Sequence, residues 1–128
     1  MTTLLAVGFG GAIGAMLRVI MGRFLPVVIF VNFPISILVI NVLGCFAMGL
    51  ITELMEFHGN ISSHLKSFIT TGILGGFTTF SAFSLEYGLL HEKGLPWVAI
   101  AYAAITFTLT ISAFFIGLKL ARIVIMHV

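Results

Sequence analysis

Four long apolar stretches, separated by short polar segments, limit the folds open to this chain more than any other feature of its sequence. Only 8% of its 128 residues are charged, whereas soluble domains carry roughly 25%. A helix needs about 20 apolar residues to cross a bilayer, and four such spans fit at about 3–25, 34–54, 64–90 and 96–123. The sequence therefore predicts an all-α membrane protein, with one domain of four transmembrane helices over residues 1–128.

Prolines and small polar residues mark the ends of these spans. Pro26 ends the first span, and Asn32 and Pro34 give a helix-start signal for the second. Residues 53–60 are predicted to form a polar turn, after which one of the serines at 62–63 can cap the third helix.

The third span departs from a plain transmembrane helix. As one helix, residues 64–90 would be about 40 Å long, well over the ~30 Å hydrocarbon core. The pair Gly75-Gly76, followed by Thr78 and Thr79, favours a break near 75–79. Loosened backbone at membrane depth is tolerated only where protein buries it or where it lines a cavity. This segment is therefore predicted to be the working part of a protein that handles an ion or a polar solute.

The glycine spacing and the small number of helices together predict a dimer. Gly10 and Gly14 form one small-residue packing step, and Gly72 and Gly76 form another. Four helices can hardly enclose a hydrated path and still pack against one another, so an oligomer is expected, most simply a twofold dimer.

The distribution of basic residues suggests how the two copies are oriented. Lysine and arginine divide three against two between the sides of the membrane: Lys66, Lys119 and Arg122 against Arg23 and Lys93. This bias is too weak to fix one orientation. We therefore hypothesise dual topology, with an antiparallel homodimer.

Enzyme chemistry has no support in the sequence. The four histidines all fall in loops or at helix ends, with no carboxylate or cysteine at metal-ligand spacing: His58, His64, His91 and His127. The glycine-rich run 8–14 superficially resembles a nucleotide fingerprint but follows no strand, so it indicates helix packing. The six basic residues are spread over the whole chain, which excludes a patch that could grip nucleic-acid phosphates.

Uncharged polar and aromatic groups at membrane depth instead predict a path for an anion. Asn41 must face protein or water, since an unpaired amide in hydrocarbon costs several kcal/mol; it makes either an interhelical hydrogen bond or a contact in the path. Thr106 and Thr110 share one face of the fourth span. Phe80 and Phe83 can present positive ring edges. Such a lane attracts a small anion without a full charge that would trap it.

Two charged residues qualify this interpretation. Glu86 is the only acid predicted at membrane depth, although a cation path would favour rings of carbonyls or carboxylates. Arg18 lies about two turns from the end of the first span. Its side chain either snorkels to the interface or raises the local positive potential for an anion, and the sequence favours neither.

The run GGFTTFSAFSLE at 75–86 closely resembles the signature of the Fluc family of fluoride channels. Arg18, Asn41 within INVLG at 40–44, and Tyr102 also fall where that family has such residues. The resemblance covers essentially the full chain, because members of the family are four-span proteins of this size.

The resemblance implies an antiparallel, dual-topology homodimer in the lipid of the inner cell membrane, with two pores through which fluoride leaves the cell passively. It also implies one structural Na⁺ per dimer that is not transported. Main-chain oxygens of Gly75 and Thr78 from both copies would hold this ion where the broken third helices cross.

The same resemblance implies roles for further side chains. Phe80 and Phe83 would line the fluoride path. The hydrogen-bonding partners of fluoride would be Asn41, Ser81, Thr106 and Thr110. Other residues would lie along or near the route: Arg18, Ser84, Glu86 and Tyr102.

The chain departs from the family pattern at a few positions. Family members often have serine at the positions of Thr106 and Thr110, so the hydroxyl is kept but the extra methyl narrows the lane. Phe77 stands where a smaller aliphatic residue is usual, with no predicted effect.

Two other functions compete with a fluoride channel. A small multidrug exporter would need a carboxylate in the first span, where this chain has Arg18 and no acid. A non-transporting structural subunit would use its polar residues only to bond helices together, and would show no ion flux when purified.

Overall fold

Every element of the computed structural model, which describes residues 2–25 and 33–127, is helical apart from turns. Pro26 and Asn32, which mark predicted span ends, lie outside the described residues. The helical elements are α1 (Thr2–Phe24), α2 (Ile35–His58), α3 (Ser63–Ser67), a π-helical segment (Phe68–Leu74), α4 (Gly75–Phe77), α5 (Phe80–Glu92) and α6 (Pro96–Met126).

Four helical stretches are long and apolar enough to cross a membrane, which confirms the predicted all-α, four-span architecture. They are Thr2–Phe24, Ile35–His58, Ser63–Glu92 and Pro96–Met126.

The second helix is longer than the sequence suggested, so the prediction of a polar turn beginning at Glu53 was wrong. α2 continues to His58, and the turn begins at Gly59, whose φ of 56° suits a glycine. Within the helix, the carboxylate of Glu53 binds Arg122 of α6, with Nε 2.7 Å from Oε1 and Nη2 3.3 Å from Oε2. A two-point ion pair of this kind lowers the cost of keeping an acid near an apolar face.

The third stretch contains two extended residues between helical parts. The chain is helical from Ser63 through Phe77, with Ser62 as the N-cap. Thr78 (φ −77°, ψ 156°) and Thr79 (φ −153°, ψ 120°) are extended, and α5 begins at Phe80. The paired glycines are themselves helical.

Glycines let α1 contact the first part of the third stretch backbone to backbone. A Cβ on Gly14 would overlap the carbonyl oxygen of Ile73, and a Cβ on Gly72 would lie 2.9 Å from the Cα of Gly10. Between transmembrane helices, where lipid removes the hydrophobic driving force, such close packing is the main source of association. The two predicted glycine steps therefore pack against each other.

A second glycine seam joins α2 to α6. A Cβ on Gly49 would overlap the carbonyl oxygen of Phe114, and a Cβ on Gly117 would overlap that of Phe46. The monomer thus consists of two closely packed helix pairs. The extended residues 78–79 follow the pair formed by α1 and the first part of the third stretch.

We expect Gly14→Ala to lower the free energy of unfolding by about 1–3 kcal/mol, the usual cost of overpacking. The added methyl group would collide with the carbonyl of Ile73, which is backbone and cannot turn away. Chemical unfolding of the detergent-solubilised protein measures the effect.

Gly8→Ala on the same helix is the matched control, since nothing lies within 4 Å of a Cβ at that position. Equal stability of the two variants would contradict the close contact between α1 and the third stretch.

Candidate functional site

A groove of about 870 Å³ opens where the extended residues of the third stretch face α2 and α6. It collects residues far apart in sequence, and among the described residues that line it none is charged. The lining residues are Asn41, Cys45, Gly75, Thr78, Thr79, Phe80, Phe83, Ala103, Thr106, Phe107, Thr110 and Ile111. Seven of the residues that the sequence singled out are therefore brought to one place.

Asn41 holds the extended backbone through two hydrogen bonds to Thr79. Its Nδ2 donates to the carbonyl oxygen of Thr79 over 3.0 Å, and the N–H of Thr79 donates to its Oδ1 over 2.8 Å. Both residues are buried, with 7% and 8% of their surfaces exposed. Buried backbone polar groups must be paired, and Oδ1 of Asn41 gives the N–H of Thr79 the acceptor that a continuous helix would have supplied.

The two extended threonines use their hydroxyl groups locally. Oγ1 of Thr79 accepts the N–H of Ala82 over 3.1 Å and so caps the start of α5. The hydroxyl groups of Thr79 and Ser81 lie 3.1 Å apart. Oγ1 of Thr78 donates to the carbonyl oxygen of Leu74 over 3.0 Å, which closes the end of α4.

The rearranged bonds release two carbonyl oxygens. In a continuous α-helix the N–H of Thr79 would bind the carbonyl of Gly75, and the N–H of Ala82 would bind that of Thr78. Both N–H groups bind side-chain oxygens instead, on Asn41 and Thr79. The carbonyls of Gly75 and Thr78 are thus freed from these partners, and both residues line the groove.

These carbonyls are suitable ligands for a hard monovalent cation such as Na⁺, which binds to unwound helical carbonyls at membrane depth. No cluster of three or more His, Cys, Asp or Glu side chains that could hold a metal ion occurs in the described part of the chain.

A row of aromatic rings runs along one wall of the groove and away from it. The ring centroids of Phe80 and Phe83 are 5.3 Å apart, and Phe83 lies 5.2 Å from Tyr102. Phe33 meets Tyr102 edge to face at 5.3 Å. Phe80 is 78% exposed although it is a large apolar residue at the centre of the third stretch, so its ring is available to something outside this chain.

The two predicted threonines of α6 differ from each other. The hydroxyl of Thr110 donates to the carbonyl oxygen of Thr106, over 2.7 Å, within its own helix. The hydroxyl of Thr106 is buried and has no hydrogen-bond partner among the described residues, and the same is true of Tyr102. Of these two threonines, only Thr110 therefore uses its hydroxyl on a carbonyl of its own helix.

Five of the predicted site residues do not line the groove. Ser81 borders it through its hydroxyl contact with Thr79, and Ser84 donates to the carbonyl oxygen of Phe80 over 3.0 Å. The other three lie on different helices: Arg18 on α1, Glu86 on α5 and fully buried Tyr102 on α6.

Sequence reasoning used Thr79 only to predict a break and did not predict its place in the site, where it binds Asn41 and caps α5. It also missed lining residues that are ordinary apolar or small side chains: Cys45, Ala103, Phe107 and Ile111. Gly44, three residues after Asn41, is the signal that could have indicated the neighbouring extended segment. A Cβ on Gly44 would overlap the Thr78 methyl group, so the glycine leaves room for residues 78–79. That face of α2 admits the extended backbone only because it is small.

Comparison with known proteins identifies the family of this chain. The family described as "CrcB-like protein, Camphor Resistance (CrcB)" matches residues 5–118. This protein belongs to the CrcB family. The resemblance to the Fluc family is confirmed, because the relatives below are named fluoride-specific ion channel FluC.

Individual CrcB-family relatives match over nearly their full length. The protein of Granulibacter bethesdensis is 42% identical over 98% of this chain and 98% of its own. That of Rhodopseudomonas palustris is 42% identical over 94% and 97% of the two chains. That of Roseobacter denitrificans is 42% identical over 95% and 97%.

Family membership and the four spans establish an integral, multi-pass membrane protein. The relatives are named as ion channels rather than as enzymes, so the prediction that this CrcB-family protein is not an enzyme is confirmed.

Proposed function

We propose that this protein is a passive, fluoride-selective ion channel. The main support is the groove beside the extended residues 78–79, which brings amide, hydroxyl and aromatic groups together at membrane depth with no charge among its lining residues. Relatives over 40% identical carry the name of a fluoride-specific channel, and that name supplies the identity of the ion.

The path for fluoride follows the polar and aromatic wall of this groove. Phe80 and Phe83 present ring edges, which carry partial positive charge. Asn41 and Thr106 contribute N–H and O–H donors, and Thr110 lies one turn further along α6. Ser81 adds a hydroxyl group next to the break. Donors without a full charge bind a small anion weakly enough for it to leave, as conduction requires.

Residues around the groove would act at its ends. Glu86 follows the groove-lining Phe83 by three residues, and Arg18 lies on α1; both charges would tune the potential along the approach. Tyr102 would fix the ring of Phe83, which lies 5.2 Å away. The hydroxyl of Ser84 binds the carbonyl oxygen of Phe80 within α5 and would lie beside the route.

The working unit in this proposal is an antiparallel homodimer with two such paths. The groove is open along one side, and large apolar side chains stand exposed at its edge, with Phe80 78% and Phe107 70% exposed. A second copy of the chain would cover these residues and complete the wall of the path.

Tags at the N- and C-termini, probed from each side of the membrane, test the antiparallel arrangement. We expect each tag to be accessible from both sides, because the Lys and Arg bias is too small to select one orientation. A single orientation for all copies would contradict dual topology.

One structural Na⁺ per dimer completes the proposal. The freed carbonyls of Gly75 and Thr78 from both copies would hold it at the twofold axis. Bound there, the ion would neutralise the carbonyl dipoles that the break leaves without helical partners. It would not be transported, since ligands from both copies would enclose it at the twofold axis.

The direction of net flow follows from the gradient and not from coupling. Hydrogen fluoride crosses the cell membrane by diffusion and ionises inside, so fluoride accumulates there and a passive path lets it leave. The groove's uncharged lining offers no carboxylate for proton exchange.

Fluoride efflux from liposomes that contain the purified protein tests the proposed function. We expect rapid loss of fluoride with chloride retained, because the groove's neutral donors favour a small anion that accepts strong hydrogen bonds. No flux of either ion from a folded dimer in sodium would favour a structural subunit instead.

We expect Phe80→Ile and Phe83→Ile each to lower fluoride flux by about tenfold or more, equivalent to about 1.4 kcal/mol of lost stabilisation. Isoleucine keeps the apolar volume but has no positive ring edge. The liposome assay measures the change, and cross-linking shows whether the dimer persists.

Phe9→Ile is the control for this pair, because Phe9 is 69% exposed but lies on α1 and does not line the groove. Normal flux in both groove variants would remove the aromatic rings from the path.

A further inference from the structure

We infer that Asn41 is a positioning residue that couples the cation site to the anion lane, acting through the backbone of Thr79. The inference rests on the proposed function for the identity of the two ions. Its geometry rests on two buried hydrogen bonds between α2 and the extended segment.

The orientation of the Asn41 carboxamide is fixed by its partner. The backbone N–H of Thr79 can only donate, so it must face Oδ1, and the carbonyl of Thr79 can only accept, so it must face Nδ2. Turning the amide over would place Nδ2 against the N–H of Thr79, a donor against a donor. It would also place Oδ1 against the carbonyl oxygen of Thr79, an acceptor against an acceptor. Asn41 is therefore locked by one residue on both of its polar atoms.

This lock has a consequence for the cation site. Since Oδ1 takes the N–H of Thr79, that N–H does not reach the carbonyl of Gly75, its partner in a continuous helix. Without Asn41 the same N–H would have no buried acceptor except by rewinding the helix onto Gly75. Rewinding would withdraw that carbonyl oxygen from a metal ion.

The lock also has a consequence for the anion lane. A carboxamide has two N–H donors, and only one of them is used on Thr79. The other is held in a fixed direction in a residue that lines the groove. One side chain thus sets the direction of a donor on the lane and the availability of a carbonyl at the cation site.

Burial makes the coupling strong. Asn41 and Thr79 are both more than nine-tenths buried, so water cannot take over a lost bond without entering the protein. The penalty for an unpaired buried group exceeds the net worth of an exposed hydrogen bond. Loss of the carboxamide should therefore change the backbone conformation rather than merely leave a gap.

The test separates this role from that of a simple anion contact by measuring Na⁺ rather than fluoride. The full-length protein is purified in N-methylglucamine, and its melting temperature is followed as Na⁺ is added. Asn41→Leu keeps the side chain's branched shape and removes both hydrogen bonds to Thr79. We expect the Na⁺ concentration at half-maximal stabilisation to rise at least about tenfold.

Thr106→Val is the matched control. It removes a hydroxyl group that has no hydrogen-bond partner among the described residues, from a residue that lines the same groove. The extended residues 78–79 and their bonds to Asn41 are left unchanged. We expect it to lower fluoride flux while leaving the Na⁺ midpoint at the wild-type value. If Asn41→Leu gave the same pattern, Asn41 would be an anion contact only and the inference would be overturned.

A backbone change guards against an Asn41 variant that does not fold. Replacing Thr79 with its α-hydroxy acid turns the amide into an ester and deletes the N–H that binds Oδ1, while every side chain stays in place. We expect a raised Na⁺ midpoint for this protein too. An unchanged midpoint would overturn the inference.

The same measurements distinguish failure of the inference from failure of the proposed function. A wild-type protein that Na⁺ stabilises but that carries no fluoride would contradict the channel and leave the coupling at the break supported. A wild-type protein that carries fluoride but that Na⁺ does not stabilise would overturn the coupling and leave the channel standing.

Discussion

The pair of hydrogen bonds between Asn41 and Thr79 is the interaction on which the rest of the site depends. Backbone without helical partners cannot persist in lipid unless other groups satisfy it. Asn41 supplies a donor and an acceptor at the required spacing, so Thr78 and Thr79 can remain extended. Because a side chain takes the place of a backbone hydrogen-bond partner, carbonyls are freed from the helix. The cap of α5 and the placement of Phe80 in the groove follow from the same extended segment.

The site also depends on how firmly its two walls are held. Glycine seams bring α1 against the first part of the third stretch, and α2 against α6, with backbone in contact. The ion pair between Glu53 and Arg122 fastens the far end of the second seam. Because each helix pair is tightly packed, the site forms at the short extended segment 78–79 that follows the first pair.

The sequence predicted the architecture well, because apolar length and sparse charge leave few alternatives for a chain in a membrane. It also singled out Asn41 and the phenylalanines, since a polar group at membrane depth needs a reason. It did not predict the role of Thr79 in the site, because a threonine is unremarkable in sequence. Thr79 gains this role from a residue 38 positions away. Nor could it separate Thr106 from Thr110, since spacing does not tell which hydroxyl bonds to its own helix.

The glycine seams have a consequence for how this protein can diverge. Where helices meet through glycine and carbonyl, their association does not depend on which aliphatic side chains cover the outer surface, because lipid tails are as apolar as leucine. Leucine, isoleucine, valine and phenylalanine on that surface are therefore nearly interchangeable, and membranes of different lipid can be accommodated by exchanging them. Natural variation should accumulate there freely, while a single added carbon at Gly49 or Gly117 would collide with a backbone carbonyl and lower stability.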